Sequence, residues 1–454
     1  IIERHENPGE SRLVLGLGTA NLDVASVQIE TPEPLFTRRI TLASQEVARD
    51  TIQEQPVGEG AIFRVAVEGQ PSSERLATPV ERLIRSRELV LAVANGDSPP
   101  LAIKAVRIER RPVYLVFLAA NAGVFHLLTG NTRCAAPRYD LAGLGLNLKA
   151  APLAAIQLAP PKTNPDFRPS EALPGVGQDA AALDVAAWKY RKLLKIERDG
   201  AQELELDLEI LSGAAADLRD IRLWREGRQI PYVVEPTSIL RAISPNVVAT
   251  NDARDPAVSR WILSLPRARL PVSRLVCEAQ SPLFEREMTA FEELADERGA
   301  QYRQPLGREV WVQKPGAAKA QFAMPLEGPM RSDTLYLETR NGDNRPIAPA
   351  KIQLLYRATR ILFKAKASEQ MYAYYGNPLA QPPRYDLGLV ADEMLAAEKA
   401  NVTPGLPEQL KKPSWGAGAP GKGGAVFWGA LGLVVVVLLV IVSRLLPKPT
   451  GTPT

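Results

Sequence analysis

The sequence predicts an all-β chain: tandem antiparallel β-sandwiches, one of them duplicated, followed by a single C-terminal transmembrane helix. Three observations carry this. Short runs of alternating apolar and polar residues recur between Pro, Gly and Asn turns. One block occurs twice, ending in GNTRCAAPRYDL and again in GNPLAQPPRYDL. An uncharged apolar run, AVFWGALGLVVVVLLVIVS, lies near the end of the chain.

Length and composition set bounds. The 454 residues suffice for about three domains. The formal charge is only +4 and the Lys and Arg residues form no stripe, so no nucleic-acid partner is expected. The two histidines, His5 and His126, exclude a His-rich metal site, and a Ser-His-Asp triad would have to use one of them. The two cysteines, Cys134 and Cys277, are expected to be free, buried thiols. There is no glycine loop for phosphates, no paired-Cys spacing and no nucleophile elbow. The expectation is therefore a protein without catalytic residues, cofactor or metal. The first residue is not Met, which fits either a removed signal peptide or a cut within a longer protein.

Residues 1–141 form the first sandwich repeat. Its partner is fixed by a constant offset: the two Arg-Tyr-Asp motifs are 384 − 138 = 246 residues apart. The same offset joins Asn95-Gly96-Asp97 to Asn341-Gly342-Asp343, Tyr114 to Arg360 and Gly130-Asn131 to Gly376-Asn377. Upstream, SRLVLGLGTANLDV aligns with SRWILSLPRARLPV at 259 − 11 = 248, a two-residue change in a loop. In each copy an alternating strand runs into Asn-Gly-Asp, a hairpin turn signal because Asn and Gly tolerate positive φ. The later runs YLVFLA and GVFHLLTGN, and their partners RILFKA and QMYAYYGN, read as further strands.

Residues 142–184 are rich in Pro and polar residues and read as a linker. Residues 185–250 are a small β-module. In it, Glu203 to Ile210 alternates strictly and predicts one strand: Leu204, Leu206, Leu208 and Ile210 inward, and Glu203, Glu205, Asp207 and Glu209 on a solvated face. Two more strands flank Glu226-Gly227. Residues 251–400 are the second sandwich repeat, ending in a short helix over LGLVADEMLAAEKA. Residues 401–424 read as a Pro/Gly stalk.

Residues 425–443 are about the length needed to cross a bilayer, with Trp428 placed for the interface and 444–454 as a short tail. Lys411, Lys412 and Lys422 precede the span, so the positive-inside count does not set its direction. A large β-domain followed by one span and a short tail fits a single-pass envelope protein with its bulk outside the cytoplasm; the competing picture is a tail-anchored cytosolic protein, and a signal peptide upstream of residue 1 would separate the two.

Candidate ligand-binding residues are few. Asn95, Asp97, Asn341 and Asp343 carry hard oxygens suited to calcium, but a turn accounts for them without an ion. Arg138 and Asp140, with Arg384 and Asp386, would make a ligand clamp or pin a strand end with the intervening Tyr packed on the sandwich.

These turns and strands also carry a resemblance. TLYLETRNGDNRPIAPAKIQLLY and its partner look like the closing strands of discoidin-type, galactose-binding-like jelly rolls. WKYRKLLKIERDG, with ILFKAKASEQMYAYYGN ahead of one C-terminal span, is similar to the bacterial envelope family called domain of unknown function 3999. The resemblance implies a periplasmic protein held at the inner membrane and no catalytic residues. Together with the duplication it implies a further module like 185–250 ahead of residue 1.

Two functions follow as expectations. One is a non-enzymatic, membrane-anchored envelope protein that binds a glycan or a protein through its sandwiches. The other is a scaffold or accessory subunit of a polytopic inner-membrane protein, with no ligand of its own.

Overall fold

The structure, a computed structural model, describes residues 1–48, 51–66, 71–119, 121–131, 134–135, 137–140, 152–167, 173, 175–177, 179–250, 255, 257–315, 321–410 and 432–439. It is nearly all β. The first part contains β1 (Glu3–Asn7), β2 (Glu10–Gly16), β3 (Leu22–Glu30), β4 (Phe36–Ala48), β5 (Thr51–Val65), β6 (Ser73–Arg75), β7 (Ala77–Ile84), β8 (Glu88–Ala94) and β9 (Ala105–Arg110). The middle part contains β10 (Tyr190–Lys195), β11 (Gly200–Glu205), helix α1 (Leu208–Gly213), β12 (Arg222–Arg225), β13 (Arg228–Ile230), β14 (Tyr232–Ile243) and β15 (Asn246–Ala249). Then come β16 (Val258–Ser264), β17 (Val272–Ala279), β18 (Phe284–Ala295), β19 (Gln301–Gln313), β20 (Gln321–Pro325), β21 (Thr334–Arg340), β22 (Pro349–Ala365) and β23 (Gln370–Tyr375). A 3₁₀ turn (Asp386–Leu389), helix α2 (Ala391–Ala396), β24 (Ala400–Val402) and β25 (Pro404–Gln409) follow.

The two repeats share one strand order. In the first, β1-β2-β8-β4-β5 faces β7-β3-β9; in the second, β15-β16-β21-β18-β19 faces β20-β17-β22. The registers also match. Ser11 lies opposite Val93, as Ser259 lies opposite Thr339. Bulges fall after Leu42 and after Ala290, and again after Val24 and after Val272. Register is fixed this tightly because one face of each sheet is buried, and a one-residue slip would turn the core outward. In the first repeat Leu13, Leu15, Leu89, Leu91 and Val93 meet Val24, Val27 and Ile29 across the sandwich.

A glycine recurs where the layers close. A Cβ on Gly58 would lie 2.8 Å from the Pro79 carbonyl oxygen, and one on Gly307 would lie 2.5 Å from that of Pro325. Backbone cannot yield as a side-chain end can. Gly58→Ala and Gly307→Ala are each expected to cost about 1–3 kcal/mol in denaturant unfolding, as overpacking does. A cost below half a kcal/mol at both sites would show that the close approach is not a constraint.

Several expectations are corrected. The Asn-Gly-Asp turns are not hairpins: β8 pairs with β2 and β4, whereas the strand after the turn, β9, pairs with β3 in the opposite layer. The turn therefore carries the chain between sheets, with Gly96 at φ 57 and Gly342 at φ 58. Glu203 to Ile210 is not one strand: β11 stops at Glu205 and α1 begins at Leu208. Asp207 caps that helix by accepting from the Ile210 amide at 3.0 Å, which ends the alternation. In the first repeat, YLVFLA and GVFHLLTGN form no strand among the described residues.

The border expected at 250–251 does not separate sheets either. The second half of β22 pairs with β11 and β14, and β23 pairs with β10 and β12, so the late strands complete the middle module. The expected stalk begins later, because β24 pairs with β11 and β25 with β10. Pro404 and Pro407 are tolerated there because β25 is an edge strand. Cys277 is buried, which pushes its thiol up to about 12, but Cys134 is exposed.

The expected short helix is present as the 3₁₀ turn and α2. Leu387, Met394 and Leu395 pack with Ile52, Val233 and Leu362 between the first sandwich and the middle module. Of the expected span 425–443, residues 432–439 are helical and the others lie outside the described residues. Among the described residues no helix is long and apolar enough to cross a membrane.

Candidate functional site

The residues singled out in the sequence do not converge. Asn95 and Asn341 are buried, and each donates its side-chain amide to a serine across the adjoining strand: Asn95 to Ser11 at 2.7 Å and Asn341 to Ser259 at 2.8 Å. They lock the sheet-crossing turn in both repeats, while Asp97 and Asp343 are exposed. No group of three or more acidic, His or Cys side chains suited to a metal occurs among the described residues. Arg138, Asp140, Arg384 and Asp386 are all exposed. Tyr385 is the packed member of its motif. Its ring meets that of Tyr232 at 5.3 Å, and its hydroxyl donates to Gln229 Oε1 at 3.1 Å. Tyr139, its counterpart, is 73% exposed.

A different constellation is assembled where the first sandwich meets the middle module. A cavity of about 650 Å³ opens there, walled by Glu3 of β1, Glu88 of β8, Glu203 and Glu205 of β11, Arg241 of β14 and Arg360 of β22. Lys399, just before β24, also lines it. Alternation places Glu203 and Glu205 on the same face of β11, and that face is not solvated as expected: it meets cations from neighbouring strands. Arg241 makes a two-pronged pair with Glu205, at 2.9 and 2.8 Å. Arg360 donates to Glu3 at 2.8 Å and lies 3.3 Å from Glu203 and 3.4 Å from Glu205. Lys399 lies 3.3 Å from both Glu88 and Glu203.

The electrostatics follow from burial and pairing. Burial opposes the charge on Arg360, but Glu203 and Glu3 outweigh it and hold its pKa above the ordinary value. Burial likewise works against Lys399, and Glu203, Glu88 and Glu235 raise it on balance. The Arg241 hydrogen bond holds Glu205 below the usual carboxylate range. Glu235, on β14, behaves in the opposite way. It is 4% exposed, and burial pushes its carboxyl up to about 7, against the pull of Lys399. Gln45 donates to its Oε1 at 2.5 Å, while Oε2 is buried with no hydrogen-bond partner. Glu235 lines a smaller void behind the main cavity, beside Arg12, Glu54, Glu88 and Arg360.

Sequence reasoning missed Glu3, Glu88, Glu235, Arg241, Arg360 and Lys399. One signal was available. Arg360 stands directly before the buried run Ile361, Leu362 and Phe363 of RILFKA, where the other repeat has Tyr114. A charge at a core position of a strand asks for a partner.

The chain matches no family model and no curated protein. Two solved structures are similar at a low level. One is the structure of infectious bursal disease virus, Gx strain, at 6% identity over 84% of this chain and 77% of that one, with a TM-score of 0.16. The other is a mutant VP2 protein of infectious bursal disease virus in derived T=1 particles, at 5% identity, 80% and 75% coverage and a TM-score of 0.14. Scores this low carry no argument about fold or function.

Proposed function

We propose that the protein is a non-enzymatic binding protein of the bacterial envelope, held at the inner membrane by residues 425–443, and that the charged cleft takes a hydroxyl-rich ligand such as a glycan. The cleft is the observation that carries this reading: about 650 Å³ lined by carboxylates, guanidinium groups and an ammonium that can accept from and donate to hydroxyls. The same arrangement argues against acid–base chemistry. The carboxylates facing the cavity are engaged by cations, and the one carboxyl raised towards neutrality, Glu235, lines the void behind it.

The ligand is tested by a glycan array probed with the detergent-solubilised protein. A hit is expected, and Arg87→Glu, a charge reversal at a guanidinium that also lines the cleft, should weaken it at least tenfold. A hit that survives this charge reversal would move the binding site elsewhere. The location rests on the hydropathy of 425–443 and the helix at 432–439. In cells with a permeabilised outer membrane, added protease is expected to digest residues 1–410. Protection until the inner membrane is broken would place them in the cytoplasm.

A further inference from the structure

The first repeat carries an apolar stretch whose cover is visible in the second. At the offset of 246, Leu115, Val116 and Phe117 correspond to Ile361, Leu362 and Phe363, and Phe125 and Leu127 to Met371 and Ala373. In the second repeat these positions are 0–1% exposed, whereas Leu115 is 72%, Phe117 47%, Phe125 57% and Leu127 53% exposed. The cause is the middle module. Ile361 to Phe363 are the end of β22, sandwiched between β11 and β14, and Met371 and Ala373 are on β23, between β10 and β12. Ile361, Phe363, Met371 and Ala373 help fill the module's core. No such four strands face 113–128 among the described residues. Even so, the rings of Phe117 and Phe125 touch, with centroids 5.4 Å apart, as two facing layers of a small sandwich would.

We propose that residues 113–128 are two strands of a second small β-sandwich, and that their occupant is a five-stranded module of the build of Tyr190–Ile243. A second copy of this chain does not supply it, because its own β10, β11, β12 and β14 are already paired with β22 and β23. The repeat also fixes where the occupant is attached. β14 ends at Ile243 and runs through Ser244 and Pro245 into β15, which pairs along β16. β1 pairs along β2 in the same way, with Glu3 opposite Val14 where Val248 is opposite Ile262. The occupant therefore leads into β1, on the N-terminal side of Ile1, and the apolar stretch returns to it after β9.

The test adds the missing half. Residues 179–245 are duplicated directly before Ile1, so that Ile1 takes the place of Asn246, and hydrogen exchange is followed by mass spectrometry. In the parent chain 113–128 should exchange fast while 359–375 is protected. In the extended chain, exchange over 113–128 is expected to slow at least a hundredfold, and Phe117→Asp should restore fast exchange there. Protection of β2 and β8 in every variant reports that the sandwich itself is intact. If 113–128 stays fast in the extended chain, whether or not the added module is ordered, the proposal fails. It also fails if the parent chain gains the same protection on raising its concentration, which would make a second copy the occupant.

Discussion

Replacing Arg360 with Ala is expected to destabilise the protein by about 3–5 kcal/mol, the cost typical of breaking a buried ion pair from one side. The side chain is 7% exposed and faces Glu3, Glu203 and Glu205 together. Without the guanidinium, Glu203 keeps Lys399 and Glu205 keeps Arg241, but Glu3 loses its 2.8 Å partner and retains only His5 at 2.9 Å and Arg241 at 3.8 Å. Arg360→Lys should cost less and yet not restore stability, because an ammonium is a point charge and cannot reach three carboxylates with a planar fork. Urea titrations of the three proteins at pH 7 check this. A loss under 1 kcal/mol for Arg360→Ala would mean that the carboxylates are already solvated and that the network does not join the first sandwich to the module.

That network also shows what the sequence could not reveal. The sandwich strands were legible because alternation is local: β2, β8, β16 and β21 need only their own residues to declare an inward face. The duplication was legible because it repeats turns and bulges at one spacing. The cleft was not, because its parts are remote. Glu3 and Arg360 lie 357 positions apart in the chain. The acidic row on β11 was visible, but the cations that face it come from β14, β22 and the segment before β24. Asp207 was misread for a different reason. A capping aspartate looks like one more outward residue until its carboxylate is seen on the Ile210 amide. The late strands were misassigned because a strand's sequence shows its faces but not its neighbours, and β22 serves two sheets' worth of partners along one continuous run.

Glu235 gives the second large effect, one that depends on pH. Its carboxyl is raised from 4.5 to about 7, burial being the main cause, with Lys399 and Arg360 lowering it and Glu203 and Glu88 raising it. The folded protein therefore holds this proton more tightly than the unfolded chain. Stability from this group is fully present below about pH 4.5 and is lost as pH rises through about 7. The whole change is about 3 kcal/mol, since each tenfold in proton affinity is about 1.4 kcal/mol. Glu3 and Glu205 are held below the ordinary carboxylate value, so their contribution has the opposite sign and falls away at acid pH, outside this window. Glu235→Gln keeps an oxygen to accept from Gln45 and carries no charge at any pH. The variant should match the parent near pH 5 and exceed it by about 2–3 kcal/mol at pH 8. Unfolding free energies from urea titrations at pH 5, 6, 7 and 8 measure the difference directly. If the two curves stay parallel across that range, the carboxyl is ionised in the folded protein throughout, and the void behind the cleft holds a charge rather than a proton.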